Sequence, residues 1–239
     1  MTTSGTTIFN LDFREAIEEA YERAMGTDTG MPRTGYDMRS ARRSINLLFA
    51  DWANRGLNMF TYEERTQALV DGVVEYDLGN DIVDVLDQVV QIPATGTGGP
   101  TRYNMTRVSI STQATRTNPL TTGRPVEVYY NRGVDGVTAH IWPVPNSTYV
   151  YTLVYWVLRR IQDAGAYTNT GDLPFRFLPA FIAGLAFYIA QKKRSDDPNL
   201  IARLEADYEK TWLRAAEEDR EKATLKQVPR PSSYRVGVN

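Results

Sequence analysis

The segment that most restricts what this chain can fold into is residues 38–60, MRSARRSINLLFADWANRGLNMF. Ala41, Ile45, Leu48 and Trp52 recur at the spacing of one helical face, and neighbouring apolar residues widen that face. Gly56 stands where a glycine commonly ends a helix, and Asp37 is positioned to cap its start. We therefore predict a helix that is buried on most sides.

The remaining face of this helix is basic. It carries Asp51 as its single acid, against four arginines: Arg39, Arg42, Arg43 and Arg55. A solvated face is the usual meaning of such a charge stripe, and salt-sensitive binding to nucleic acid is the alternative. The formal net charge of −2 argues against the nucleic-acid alternative.

Composition limits the chemistry that the chain can perform. It has 239 residues, 42% hydrophobic and 23% charged, which is typical of a soluble globular protein larger than one compact domain. The absence of cysteine excludes disulfides, thiolate nucleophiles and cysteine metal ligands. The single histidine, His140, lies in a predicted strand and is expected to be structural.

The sequence shows no signal-peptide pattern, and we expect the protein to be made in a host cytoplasm. Its most apolar run, residues 177–190, is too short to span a bilayer and contains Pro179. We therefore expect no membrane partner.

Periodicity predicts an α+β fold, a discontinuous helical bundle with an inserted antiparallel β domain and an extended C-terminal tail. Helices are predicted up to about residue 25, from a cap at Asn10 or Asp12, and again over 179–193 and 199–222. The acidic face of the first helix is expected to lie against the arginines of the second. The predicted division is 1–61 and 163–222 for the bundle, 62–162 for the β domain and 223–239 for an arm.

Within the β domain, Asp71-Gly72 predicts a hairpin between residues 68–70 and 73–76. Residues 81–92 fit either a strand or a helix, and their β-branched content favours a strand. The runs 125–130, 137–142 and 149–158 are separated by short turns, which predicts an antiparallel meander.

Carboxylates are concentrated between Glu63 and Asp87, where Arg65 is the only base. Three interpretations are open: a solvated surface, an acidic lining facing a polyanion, or a hydrolytic carboxylate pair. The spacing singles out no pair. The predicted acidic channel surface comprises Asp71, Glu75, Asp77, Asp81, Asp84 and Asp87.

The C-terminal arm, residues 223–239, is basic and has no apolar period of its own. It is either a frayed terminus or a segment that orders against a partner. The residues predicted to contact a portal or a neighbouring subunit are Arg230, Tyr234, Arg235, Val236 and Val238.

A series of motifs resembles the head-to-tail adaptor proteins of short-tailed and related tailed bacteriophages. In order, they are residues 41–60, GVVEYDL at 72–78, GRP at 123–125 before YY, WPVP at 142–145, DLPFRFLP at 172–179 and AGLAFYIAQKK at 183–193. The resemblance implies a ring of about twelve copies below the portal, DNA passing through its centre, and no cofactor.

The leading hypothesis is therefore a structural adaptor in the virion neck, in contact with the portal, with tail or nozzle proteins and with DNA that it does not read. Some shorter adaptors of short-tailed phages are credited with muramidase activity. The alternative function is accordingly a peptidoglycan hydrolase that uses two carboxylates between Glu63 and Asp87. No catalytic pair of that group can be placed on this sequence, so we expect a protein that is not an enzyme.

Overall fold

A computed structural model describes residues 5, 9, 11–26, 34–56, 59–94 and 98–219. The described helices are α1 (Phe13–Met25), α2 (Gly35–Asn54), α3 (Ile110–Ala114), α4 (Leu178–Lys193) and α5 (Pro198–Glu218). The described strands are β1 (Tyr62–Leu69), β2 (Glu75–Asp77), β3 (Ile82–Ile92), β4 (Thr101–Asn104), β5 (Thr106–Arg107), β6 (Thr122–Gly123), β7 (Glu127–Arg132), β8 (Val137–Trp142), β9 (Val144–Pro145) and β10 (Tyr151–Arg159). This arrangement confirms the predicted α+β class. The tail lies outside the described residues.

Helix α4 is the centre of the bundle. It is apolar around most of its circumference, and it packs against α1, α2 and α5. The shared core combines residues from both ends of the sequence, including Ile17 of α1, Trp52 of α2 and Trp212 of α5. The bundle is therefore discontinuous in sequence, as predicted.

The helix boundaries follow local capping chemistry. Asp12 caps α1 in a capping box with Glu15, which confirms one of the two predicted caps. The cap predicted for α2 is wrong: Thr34 is the N-cap, and its hydroxyl accepts a hydrogen bond from the backbone N–H of Asp37 (3.2 Å). Asp37 sits one turn inside the helix, where its carboxylate accepts a hydrogen bond from Lys193 (2.7 Å). Helix α2 ends at Asn54 with Arg55 as its C-cap, and Gly56 follows with φ 127°, which confirms the predicted glycine stop.

The described β domain has two four-stranded sheets with a common core, and a two-stranded parallel sheet formed by β6 and β9. The first sheet has the order β1-β10-β3-β4 and is antiparallel throughout, which confirms the strand predicted over residues 81–92. The second has the order β2-β8-β7-β5, in which the short β5 pairs parallel to β7. Buried side chains of both sheets, such as Leu153 and Ile141, belong to one cluster.

Two predicted connections are wrong. The segment after β1 is not a hairpin, because β1 pairs with β10 and β2 pairs with β8 in the other sheet. The hydroxyl of Tyr76 holds this crossover: it accepts from Val70 N (2.8 Å) and lies 3.1 Å from Val70 O and 3.2 Å from Val73 O. Of the predicted meander, only the β7–β8 pairing is present, because β10 pairs with β3 in the first sheet.

The acidic face of α1 also departs from its predicted place. Its described ion pairs lie within the helix, Arg14 with Glu18 (3.2 Å) and Arg23 with Glu19 (2.8 Å). A glutamate and an arginine four residues apart lie side by side on the helix surface and pair with each other. The face is left lining a groove beside α4.

The bundle and the β domain are joined at the base of β10. Arg159 donates to both carboxylate oxygens of Asp172, which precedes α4, with Nη2 at 3.1 Å from Oδ1. Beside it, Phe60 contacts Phe177 with ring centroids 4.9 Å apart. A bidentate ion pair and an aromatic contact fix geometry at this junction. Of the helices described, none combines the length and apolar character needed to cross a bilayer.

Candidate functional site

The described residues contain no group of three or more His, Asp or Glu side chains arranged to hold a metal ion. His140 lies on β8 with its ring 5.6 Å from that of Tyr129, and it faces Glu75 across the strand pair. The fold thus places this histidine in a sheet, packed against a neighbouring aromatic ring. The exposed surfaces are therefore the candidate functional sites.

The predicted acidic channel residues do not form one cluster. Glu75 and Asp77 flank buried Tyr76 on β2 in the second sheet, and Asp71 lies in the turn before them. Asp84 and Asp87 are on β3 in the first sheet, and Asp81 directly precedes it. The change of sheet between β2 and β3 separates residues that are close in sequence. Their role as a channel surface stays a prediction.

Arginines from distant parts of the chain oppose the acids near β3. Arg65 donates to Asp81 (Nη1 to Oδ1, 3.0 Å), and Asp84 pairs with Arg107 (3.1 Å) and Arg132 (3.4 Å). In the sequence, Arg65 is the only base between Glu63 and Asp87, and the fold adds Arg107 and Arg132 from other strands. The negative charge at this edge of the β domain is consequently balanced locally.

The electrostatics of Asp81 do not favour the hydrolase alternative. Its hydrogen bond from Arg65 holds the pKa of the Asp81 carboxyl below its ordinary value. A glycosidase needs one carboxylic acid whose pKa is raised, so that it is protonated when it acts. Glu63 also faces arginines, Arg65 at 3.3 Å and Arg159 at 3.6 Å.

The basic strip of α2 is divided by the fold. Arg39, Arg42 and Arg43 are exposed, and Arg42 also lies over the ring of Tyr167 (5.9 Å to the centroid). Arg55 pairs with both oxygens of Glu209 on α5 (2.8 and 2.9 Å). At least Arg55 is thus committed to contacts within the bundle.

Arg55 belongs to a polar clasp between α2 and α5 that sequence reasoning missed. Trp52 Nε1 donates to Tyr208 Oη (2.9 Å), which donates in turn to Asp51 Oδ2 (3.0 Å). Arg55 donates to the same Asp51 oxygen (2.8 Å) and lies over the Tyr208 ring (4.8 Å). Burial raises the pKa of the Tyr208 hydroxyl, which keeps it protonated as a donor. The only sequence signal was the spacing of Asp51 and Arg55 at i,i+4.

One end of the β domain carries exposed apolar side chains. The β1–β10 ladder ends there at Leu69 and Tyr151, and Gly72 N donates to Pro145 O (3.0 Å) across the two loops. Four residues, 37–68% exposed, form what we call the tip patch: Val70, Val73, Tyr149 and Val150. Clustered apolar side chains on an otherwise polar surface mark contact sites.

A second surface lies between α1 and the start of α4, with a cavity volume of about 710 Å³. We call it the acidic groove. Its apolar lining is Phe9, Leu11, Phe175, Leu178, Pro179 and Ile182, and its charged lining is Glu15, Glu18, Glu19, Glu22 and Arg23. Phe9 and Phe175 are 65% and 77% exposed, so two aromatic rings stand open to solvent beside four glutamates.

The predicted portal and neighbour contacts, Arg230, Tyr234, Arg235, Val236 and Val238, lie outside the described residues. The tip patch and the acidic groove were not predicted. Each is assembled from segments far apart in sequence, and an isolated valine or phenylalanine in a loop carries no signal on its own.

The organisation seen here, a discontinuous bundle with an inserted β domain and exposed apolar surfaces, defines an α+β fold. The SU10 adaptor protein family matches residues 12–233. The chain therefore belongs to this family of phage head-to-tail adaptors, which confirms the resemblance inferred from the motifs. Comparison with curated proteins found no match.

Family membership carries a role at a coarse level. It points to a structural, non-enzymatic part of the phage, located in the virion neck and in contact with portal and tail components.

Proposed function

We propose that the chain forms a closed ring, of about twelve copies, that joins the portal to the tail and surrounds the path of the DNA. The observation that carries this proposal is the match to the adaptor family over residues 12–233, nearly the whole chain. The ring requires each copy to present two different faces to its neighbours, since a head-to-tail contact generates a ring when its rotation closes.

The two-part architecture supports separate contacts at the two ends of each copy. The bundle carries the acidic groove, and the β domain carries the tip patch. We propose that the β domain presents the tip patch to tail or nozzle proteins. The Arg159–Asp172 pair holds the β domain on the bundle, so that the patch has a defined direction.

We further propose that DNA passes without sequence-specific contact. Glu75 and Asp77 are exposed on the second sheet, Asp71 is exposed in the turn before it, and all three would repel phosphate. For the same reason, DNA would slide past this surface rather than adhere to it. The predicted domain boundaries, between residues 61 and 62 and between residues 162 and 163, place these acids and the tip patch together in the β domain.

The tip patch can be tested by charge insertion. Val73→Asp with Val150→Asp should give capsids that carry the adaptor but lack tails, because two carboxylates in an apolar contact are costly to desolvate. Val134→Asp is the matched control, since Val134 is 97% exposed in the loop between β7 and β8. If the double variant and the control attached tails equally well, the tip patch would not be part of the tail interface.

Imaging of the phage neck tests the ring itself. The expected result is a symmetric ring of this chain directly below the portal, with a central opening wide enough for duplex DNA. A single copy, or a position at the far end of the tail, would overturn the proposal. Clearing of a cell-wall gel by the purified protein would show that the role is not structural alone.

A further inference from the structure

The acidic groove is an unusual surface for a chain to leave open. Phe9 and Phe175 expose most of their rings, and the glutamates of α1 form one wall. Burying these two phenylalanine rings against an apolar partner is favourable, because it removes apolar surface from water. A ligand for this groove should therefore combine aliphatic side chains with positive charge.

The chain itself leads to the edge of this groove. Helix α5 ends at Glu218, and the carboxylate of the next residue, Asp219, pairs with Arg176. Arg176 directly follows Phe175, which lines the groove. Whatever follows Asp219 therefore starts at the border of the acidic groove.

The chemistry of the following residues matches the groove. Residues 220–229, REKATLKQVP, have three basic side chains, Arg220, Lys222 and Lys226, against the single acid Glu221. Leu225 and Val228 supply aliphatic groups at a spacing of three residues. The segment thus combines the aliphatic side chains and the positive charge that complement the lining of the groove.

We propose that residues 220–229 occupy the acidic groove of their own chain, with Leu225 and Val228 against the phenylalanines and the basic side chains against the glutamates of α1. Six residues from Asp219 to Leu225 span up to about 20 Å when extended, and the thirteen residues of α1 are about 20 Å long. The reach is sufficient within one chain. The family match continues to residue 233, so this segment belongs to the part that the family shares.

This inference does not depend on ring formation, because a single chain contains both the groove and its occupant. It also restricts the earlier expectation for the arm. With residues 220–229 held on the bundle, residues 230–239 remain to meet a partner, and they leave the bundle from a fixed point.

Disulfide trapping tests the proposal directly, since the natural chain has no cysteine. The test variant carries Glu18→Cys and Leu225→Cys, and the control carries Arg214→Cys and Leu225→Cys. Glu18 lines the groove, whereas Arg214 is exposed on α5 shortly before its end, also within reach of the arm. Dilute monomer is oxidised, and the products are separated on a non-reducing gel.

In the test variant we expect an intramolecular disulfide that forms on the order of tenfold faster than in the control, because docking raises the effective concentration of the two thiols. Adding Glu19→Lys and Glu22→Lys to the test variant should abolish this advantage. Equal rates in the two variants would mean that the arm does not occupy the groove. Disulfide-linked dimers in place of the intramolecular product would assign the groove to a neighbouring copy, and either result overturns the proposal.

Discussion

Trp52 illustrates how much of the bundle depends on single residues. Its ring is fully buried and lies 4.9 Å from the ring of Trp212 and 5.5 Å from that of Phe177. Its indole N–H donates to Tyr208, so the same side chain joins α2 to α5 by packing and by a hydrogen bond. The sequence predicted its burial from helical spacing. It did not predict Tyr208 as the partner, since helical spacing says nothing of which helices meet.

Replacing Trp52 with alanine should therefore lower the free energy of unfolding by about 3–5 kcal/mol. The loss combines a cavity with the removal of the hydrogen bond that the Tyr208 hydroxyl accepts from the indole. Urea unfolding followed by circular dichroism measures it, with Trp156→Ala on β10, which is only half-buried, as the comparison. An unchanged unfolding curve for Trp52→Ala would contradict the packing of α2 at the centre of the bundle.

Two buried tyrosines of the β domain differ in whether their hydroxyl has a hydrogen-bond partner. Tyr130 is 5% exposed, and its hydroxyl has no hydrogen-bond partner among the described residues, whereas the Tyr76 hydroxyl bonds to Val70 and Val73. A buried hydroxyl without a partner costs about 1–3 kcal/mol. Tyr130→Phe should leave stability unchanged or raise it, and Tyr76→Phe should lower it by about 1 kcal/mol. Thermal melting of both variants measures this difference. A Tyr130→Phe variant that is less stable than Tyr76→Phe would contradict the assignment of these hydrogen bonds.

At the scale of elements, local patterns predicted the helices and β3 well, because capping residues and periodicity are short-range signals. Pairing was predicted less well. Asp71-Gly72 does form a turn, yet Tyr76 binds the loop around it and turns the chain to the other sheet. A turn signal states that the chain bends, and it leaves open which strand it then meets. The candidate surfaces were missed for the same reason, since each joins two distant segments.

Gly184 shows how closely the helices approach. A Cβ placed there would lie 2.8 Å from the Tyr208 ring and 2.9 Å from Leu48 Cδ1. Although alanine favours a helix by about 1 kcal/mol over glycine, we expect Gly184→Ala to destabilise by about 1–3 kcal/mol through overpacking. Gly35→Ala is the control, since its nearest atom would be an arginine nitrogen at 3.6 Å. A more stable Gly184→Ala variant would show that α4 and α5 have room to separate.

The contact between the start of α2 and the end of α4 should depend on pH. The hydrogen bond that Lys193 donates to the Asp37 carboxylate lowers the pKa of Asp37 and raises the pKa of Lys193. The Asp37 contribution is therefore present above its unfolded pKa of 3.8 and is lost as pH falls through the lower folded value. The Lys193 contribution is present below 10.5 and is lost as pH rises through its higher folded value.

A double-mutant cycle with Asp37→Asn and Lys193→Met isolates this coupling. Its interaction free energy, measured by urea unfolding, should be largest between about pH 5 and 9 and should vanish in acid. Both side chains are partly exposed, so high salt should also reduce it. A coupling that persists unchanged at pH 2 would mean that the contact is not ionic.

At the scale of the molecule, the chain combines a helical bundle and a β domain, each with an exposed surface of its own. The bundle core and the β core are joined through Arg159, Asp172 and the Phe60–Phe177 contact. Such a junction would suit the proposed ring, which must keep its two faces in register with two other assemblies. The family indicated this role, and the structure shows which surfaces are available for it.

The last ten residues are the part of the chain that we expect to act at a distance from this body. Residues 230–239 have too few apolar side chains to offset their own ordering entropy of roughly 1–2 kcal/mol per residue. Tyr234, Val236 and Val238 alternate as in a strand that adds to the edge of a partner sheet, and Arg230 and Arg235 can pair with acids beside that edge.

Deleting residues 230–239 should therefore leave the melting temperature of the monomer almost unchanged and should prevent or weaken attachment to portal-bearing capsids. Attachment is measured by sedimentation of purified protein with tailless capsids. Exchanging Tyr234, Val236 and Val238 for serine in the full-length chain is the companion variant, which should lose attachment as the deletion does. If the truncated protein binds capsids with unaltered affinity, the portal contact lies on the described body; if it no longer folds, these residues belong to its core.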